Sequence, residues 1–301
     1  MISIVIPAYN EEKRLYENIK EILKFVQKHD YEIIIVDDGS KDETWNIIKN
    51  LHEEETKVKG IRFSRNFGKE YALCAGVAAV KGDATILMDS DLQHPPEYID
   101  AMIEKWKEGY KIVECVKEKR AKESFKSKLS ANLFYGALHK LTGYNMKNGG
   151  DFKLLDKQVV NAINGLKESQ VFFRGLVEWV GFSKCQIFYK MNVREGDTSK
   201  FNTKSLSKLA LTAITSFSST LLYLTIVLAG IFFVAALLLG IQTIINKVTG
   251  NALTGFTTVI LLQLIIGACV LACLGIIGIY IARIYDEIKG RPRYIISDEI
   301  D

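Results

Sequence analysis

Two runs without a single charged residue, 209–246 and 248–282, separated only by Lys247, constrain this chain more than any other feature. About 20 apolar residues suffice to cross the hydrocarbon core of a bilayer. Both runs exceed that length, and core helices of soluble proteins rarely run so far without a charge. We therefore expect two membrane-spanning helices, near 221–245 and 256–282. Lys200, Lys204 and Lys208 precede the first span, Arg283, Lys289, Arg291 and Arg293 follow the second, and the connecting loop carries only Lys247. That bias places both ends in the cytoplasm. The opening MISIVIPAYNEE has neither the basic start nor the apolar stretch of a secretory signal, which predicts a front region that stays in the cytoplasm beside its membrane.

Ahead of the spans, 206, 209, 210, 213, 214 and 217 are apolar and share one helical face, the pattern of a helix lying in the membrane interface. The expected organisation is a large soluble domain over 1–200, an interfacial helix over 201–220, a two-helix hairpin over 221–283 and a tail over 284–301. The net charge of +4 gathers near the spans, which suits anionic head groups, and no nucleic-acid motif accompanies it. Cys74, Cys115, Cys185, Cys269 and Cys273 lack metal-ligand spacing, so free thiols in a reducing compartment are expected.

Within 1–200, apolar strands alternate with amphipathic helices. ISIVIP reads as a buried strand ended by Pro7, and residues 13–29 carry apolar side chains at helical spacing. YEIIIVDDGS, KGIRFS, DATILMDSD and KIVECV read as further strands, with helices through Trp45, through EYALCAGVAAV and through EYIDAMIEKW. The alternation predicts an α/β domain with a mostly parallel sheet covered on both faces. Ligands of such sheets bind beyond the carboxyl ends of the strands, where YNEE, DDGS and DSDLQ all fall. Neither GxGxxG nor GxxxxGK[ST] is present, which removes the dinucleotide fingerprint and the P-loop.

Asp89, Asp91 and Gln93 alternate after one of these strands. In an extended segment all three side chains would point one way, offering oxygens to a hard divalent cation, Mg²⁺ or Mn²⁺, with positions left for phosphate oxygens. His94 beside them reads as an exposed turn residue. Asp37 and Asp38 supply turn and capping chemistry; one of them, Asp38 by our reading, is available to a nucleobase or ribose. Tyr9 offers a ring face to the base, and Arg65 and Lys69 stand beside a helix start, where cations and free amides can hold a diphosphate.

SIVIPAYNEE, VDDGSKD, SRNFGKEYAL, MDSDLQHPPE, GGDFKLLD, FFRGLVEWVGF and REGDTSKF, followed by two spans, resemble family-2 glycosyltransferases of the GT-A fold. Within that family the resemblance is to bactoprenol glucosyltransferases and dolichol-phosphate mannose synthase, and it covers nearly the whole chain. It implies inverting transfer of one sugar, glucose from UDP-glucose being favoured, from a nucleotide-sugar to the phosphate of a membrane polyprenol such as undecaprenyl phosphate. It also implies that Asp89, Asp91 and Gln93 hold the metal, that Pro7, Tyr9, Glu11 and Asp38 bind the nucleotide, and that Asp151, with Asp89 and Asp91, belongs to the catalytic set, in a catalytic or acceptor-orienting role; we prefer orienting, because a polyprenyl phosphate is already anionic and hardly needs a base. For the acceptor phosphate it points to Arg194, Lys200, Arg174 and Arg120, with Lys117 at a position where arginine is common. Lys153 likewise replaces a common arginine, and Thr220 a usual proline at the first span. Relatives imply a homotetramer. Two other readings are a processive glycan synthase, whose QxxRW signature is missing, and an inactive nucleotide-binding membrane scaffold, against which the intact acidic triad speaks.

Overall fold

In the computed structural model, residues 1–117, 150–169, 171–189, 220–249 and 256–301 are described. They divide into two compact units, 1–208 with 292–301, and 209–291.

The first unit is built on an eight-stranded sheet in the order β7-β5-β6-β4-β1-β2-β3-β8. Its centre is β1 (Ile2–Ala8), flanked in parallel by β2 (Tyr31–Asp37) and β4 (Ala84–Leu87), with β3 (Val58–Phe63) parallel beyond β2. Every residue of β1 and β2 is buried, which is why both read as continuous apolar runs rather than alternating ones. Pro7 lies inside β1 instead of ending it, opposite Val36. The Ile2 amide donates towards the β2 side, to Asp30; by alternation the Pro7 nitrogen faces β4. The β4 ladder has already stopped at Val5–Leu87, so no hydrogen bond is lost.

One face carries α1 (Leu15–Val26), α2 (Thr44–Glu54) and α4 (Ile99–Lys107), whose apolar stripes join Ile4, Ile6, Ile33 and Ile35 in one core. Leu15, Ile19, Ile22, Leu23 and Val26 of α1 are all buried, each contributing about 1.5–3 kcal/mol of gross transfer free energy. The opposite face carries α3 (Lys69–Ala79), with Ala72 and Ala75 against Ile34, Val36, Ile61 and Phe63. Small residues let α3 approach closely: a Cβ at Gly76 would fall 2.2 Å from a Val5 methyl.

β5 (Ile112–Lys117), β6 (Lys153–Asp156) and β7 (Lys184–Tyr189) extend the sheet. β6 runs antiparallel to both β4 and β5, while β7 is parallel to β5. Lys153 and Glu114, directly opposite each other, form an ion pair of 3.1 Å with side chains 2% and 1% exposed, and Gln186 Nε2 donates to the same carboxylate at 3.3 Å. Lys153 is therefore an internal residue and not a surface charge. Helices α5 (Lys157–Gly165) and α6 (Phe173–Trp179) follow, both touching α3.

The tail expected over 284–301 takes part in the sheet. Its strand β8 (Ile296–Ile300) pairs antiparallel with β3 and forms one edge. Tyr294 stacks on Phe63 at 4.9 Å between ring centroids, and Arg293 donates to the carbonyls of Leu166 and Glu168.

The second unit contains α7 (Thr220–Val248) and α8 (Phe256–Ile288), which pack together. They include windows long and apolar enough to cross a membrane, Thr225–Gln242 with mean hydropathy 2.4 and Ile265–Ile288 with 2.6. The interfacial helix expected over 201–220 lies outside the described residues except for its final position. All five cysteines are unpaired, with Cys74 and Cys115 buried.

Candidate active site

The strand order reverses between β1 and β4, and a crevice opens at such a switch point outside the carboxyl ends of the strands. A cavity of about 330 Å³ lies there. Pro7, Ala8, Tyr9 and Glu11 line it from the end of β1, Asp38 from the end of β2, Asn66, Gly68 and Lys69 from the loop into α3, and Asp89, Ser90 and Asp91 from the end of β4.

Side chains knit these loops together. Asn10, at φ +55°, donates its amide to Ser40 Oγ and accepts the Lys41 amide on Oδ1, while the Glu11 amide donates to Thr44 Oγ1. Gly39 adopts φ +67°, and a Cβ there would lie 2.4 Å from the Arg65 backbone, so DDGS and SRNFG meet only because this residue lacks a side chain. Asp37 is fully buried beneath the turn, accepting the Ser40 amide at 2.9 Å and facing Arg62 Nε at 3.4 Å. It does not line the cavity; burial pushes its carboxyl upward.

Asp38 does line the cavity, yet it also holds the neighbouring loop. Its carboxylate accepts the Phe67 amide at 2.7 Å and the Gly68 amide at 2.9 Å. Burial raises its pKa against the pull of those amides. Arg65, in contrast, turns away: its guanidinium donates to the Asn66 carbonyl and stacks 4.1 Å over the Phe67 ring, and it is absent from the cavity wall. The loop backbone bends at Gly68, φ +111°, and of the two cations only Lys69 reaches the cavity wall.

The alternation expected of Asp89, Asp91 and Gln93 fails because the segment is a turn. Leu92 adopts φ +55°, and the Gln93 amide bonds back to Asp91 Oδ1 at 3.0 Å, so Gln93 is left exposed and off the cavity wall. His94 is buried rather than exposed. Its Nδ1 accepts the Asp89 amide at 3.1 Å and its ring stacks on Phe152 at 5.2 Å. Burial lowers its pKa, in keeping with a neutral ring that accepts at Nδ1. From α1, Asn18 Nδ2 donates to the Ser90 carbonyl at 2.6 Å. No spacing rule in the sequence points to His94, Asn18, Asn66 or Ser90.

A charged chain leaves the cavity through Lys69. Its ammonium lies 2.6 Å from Asp89 Oδ1 and 2.8 Å from Asp151 Oδ2, and Arg174 Nε donates to Asp151 Oδ1 at 2.6 Å. Burial alone would raise the Asp151 carboxyl, but the Arg174 hydrogen bond and charge, followed by Lys69, hold it well below the usual range. Arg194, Lys200 and Arg120 lie outside the described residues. Lys117 is exposed at the end of β5.

Among the described residues, no three His, Cys, Asp or Glu side chains converge closely enough to cage a metal ion. Mg²⁺ does not require such a cage: it is usually held by one or two carboxylates, with water and substrate phosphates completing its shell. Asp89 and Asp91 supply that donor set at the cavity wall. The nearby Glu11 carboxyl is pushed up by burial and then by Asp91 and Asp89, a crowding of negative charge that a cation would relieve. The residues thus fit a cation completed by a diphosphate.

The profile of Glycosyl transferase family 2 matches residues 3–163. Over 98% of this chain and 93% of its own length, an uncharacterized glycosyltransferase of Bacillus subtilis, YkcC, is 41% identical. The chain belongs to glycosyl transferase family 2. An SfII prophage-derived bactoprenol glucosyl transferase of Shigella flexneri is 37% identical to this family-2 transferase over 98% of the chain and 97% of the relative. The solved structure of glucosyl-3-phosphoglycerate synthase from Mycobacterium tuberculosis, in complex with Mg²⁺ and uridine diphosphate, shares the fold with a TM-score of 0.51. It covers 71% of this chain and 77% of its own at 20% identity, which speaks to the GT-A-like architecture of the transferase.

Proposed function

We propose that this glycosyltransferase moves a single sugar from a nucleotide-sugar, UDP-glucose being favoured, to the phosphate of a membrane polyprenol such as undecaprenyl phosphate, with inversion at the anomeric carbon. The observation that carries the proposal is the cavity at the switch point, lined by Tyr9, Asp38, Asp89 and Asp91, with Lys69 leading from Asp89 to Asp151 and Arg174. Bactoprenol glucosyl transferases among the relatives support the lipid acceptor, and two helices of membrane-spanning length support its location.

Tyr9, 42% exposed, presents its ring to a base, while Asp38 and the loop it holds border the sugar–phosphate part of the donor. Asp89 and Asp91 would hold Mg²⁺ or Mn²⁺, which when bound offsets the charge of the departing diphosphate. Asp151, kept ionised by Arg174 and Lys69, has a weakened affinity for protons and so acts by orienting its partners. A phosphate acceptor is already anionic and needs no base. Arg174, half-buried beside Asp151, supports the acceptor side. Arg194, Lys200 and Arg120 remain our proposed further phosphate contacts.

Purified full-length protein in detergent, given undecaprenyl phosphate, divalent cation and a panel of radiolabelled nucleotide-sugars, should place one labelled sugar on the lipid. Asp91→Ala should lower the rate about a hundredfold or more, as loss of a metal-held charge costs several kcal/mol of barrier stabilisation. Label in a long polymer would identify a processive synthase instead; no transfer with any donor would refute the reading.

A further inference from the structure

Lys69 touches both halves of the site, and the backbone that carries it is held by contacts of the residues that follow it. The first turn of α3 is anchored by its other residues: Glu70 Oε2 accepts the Phe173 amide at 2.6 Å and Tyr71 Oη donates to the Ser169 carbonyl at 3.1 Å. The ammonium is thereby placed between Asp89, after β4, and Asp151, before β6. Asp89 is also located by its backbone, through the amide bond to His94. Asp151 carries Arg174 on its second oxygen, so it keeps a cationic partner if Lys69 shifts. Asp89 shares Lys69 with Asp151, so a metal ion binding the Asp89 carboxylate at either oxygen would sit beside that ammonium, and the two positive charges repel.

We propose that Lys69 is a positioning residue that occupies Asp89 until a divalent cation arrives, then yields that carboxylate and stays with Asp151. The exchange couples metal capture on the donor side to the ordering of the Asp151–Arg174 pair on the acceptor side. This inference rests on the sugar-transfer reading above and adds a step of regulation to it. Its consequence runs against ordinary expectation: removing the ammonium makes Asp89 a better metal ligand and the enzyme a worse catalyst. Loss of a simple diphosphate contact, or local misfolding, would not tighten metal binding.

The test uses the full-length protein in detergent with Mn²⁺ alone, the free ion being counted by electron paramagnetic resonance. Lys69→Met should bind Mn²⁺ about tenfold more tightly than wild type, the usual influence of one neighbouring charge at such range. Lys69→Arg, which keeps the charge, should stay within about threefold. The tightening should vanish in an Asp89→Asn background, as a double-mutant cycle requires of a direct coupling. Lys69→Gln replaces Lys69→Met if the latter does not fold. Equal or weaker Mn²⁺ binding in the uncharged variant, with wild type still binding Mn²⁺ and UDP together, overturns the proposal and leaves the sugar-transfer reading standing. Wild type that binds no Mn²⁺ even with UDP present overturns both.

Discussion

Asp151 illustrates how neighbouring cations keep a largely buried carboxylate ionised. Two cations face its two oxygens, and they outweigh the burial that would raise its pKa. A group whose folded pKa is depressed contributes stability above its unfolded pKa and loses it as pH falls through the folded one. The thermal midpoint of wild type should therefore exceed that of Asp151→Asn across neutral pH, and the gap should close only below about pH 4, the ordinary carboxylate range. A gap that already closes between pH 5 and 7 would mean that the cations do not hold the carboxyl down. Tyr9, Glu11, Asp38, Lys69, Asp89 and Asp91 were legible in the sequence because each sits at a strand end or helix start where ligands gather. Gln93 was misplaced because a left-handed Leu92 breaks the two-residue alternation, and nothing in the residue type Leu announces that conformation. The partner of Lys69 was invisible for another reason: Asp151 is 82 residues away, beyond the reach of any local pattern.

Among the elements, β1 to β5 could be read from apolar density, whereas β6 and β7 could not. β6 carries a lysine in a buried position, and only the facing Glu114 on β5 makes that tolerable. Removing one partner of a buried pair leaves the other uncompensated. Lys153→Met should destabilise the protein by about 3–5 kcal/mol, and adding Glu114→Leu should recover most of the loss, because apolar replacement of both partners is commonly neutral or better. Thermal unfolding of the two variants in detergent measures the difference; a double variant no more stable than the single one would show that the pair does more than neutralise itself. β7 alternates between exposed and half-buried residues along most of its length, a weaker signal than the buried runs of β1 and β2.

For the whole molecule, charge is spread through the first unit, whereas in the second it is confined to Lys247 and to 283–291. The helices α7 and α8 expose apolar side chains such as Ile226, Phe233, Leu238, Val270 and Leu271 along their lengths, as bilayer-embedded helices do. Washing membranes with alkaline carbonate, which strips peripheral proteins, should leave the full-length chain in the pellet, while a variant lacking 220–288 should be released; retention of that variant would assign anchoring to another part of the chain. β8 was not foreseen, because a short strand after a long apolar helix looks like a tail.

Strand β8 gives the first unit an unusual order of completion. Arg62 and Ser297 are bonded although 235 residues separate them, and everything between must leave the ribosome before they can meet. Translation therefore completes both long apolar helices while β3 still has an open flank. A chain halted before that point would carry an unsealed sheet, so the edge of the first unit closes only after the whole of the second has been made.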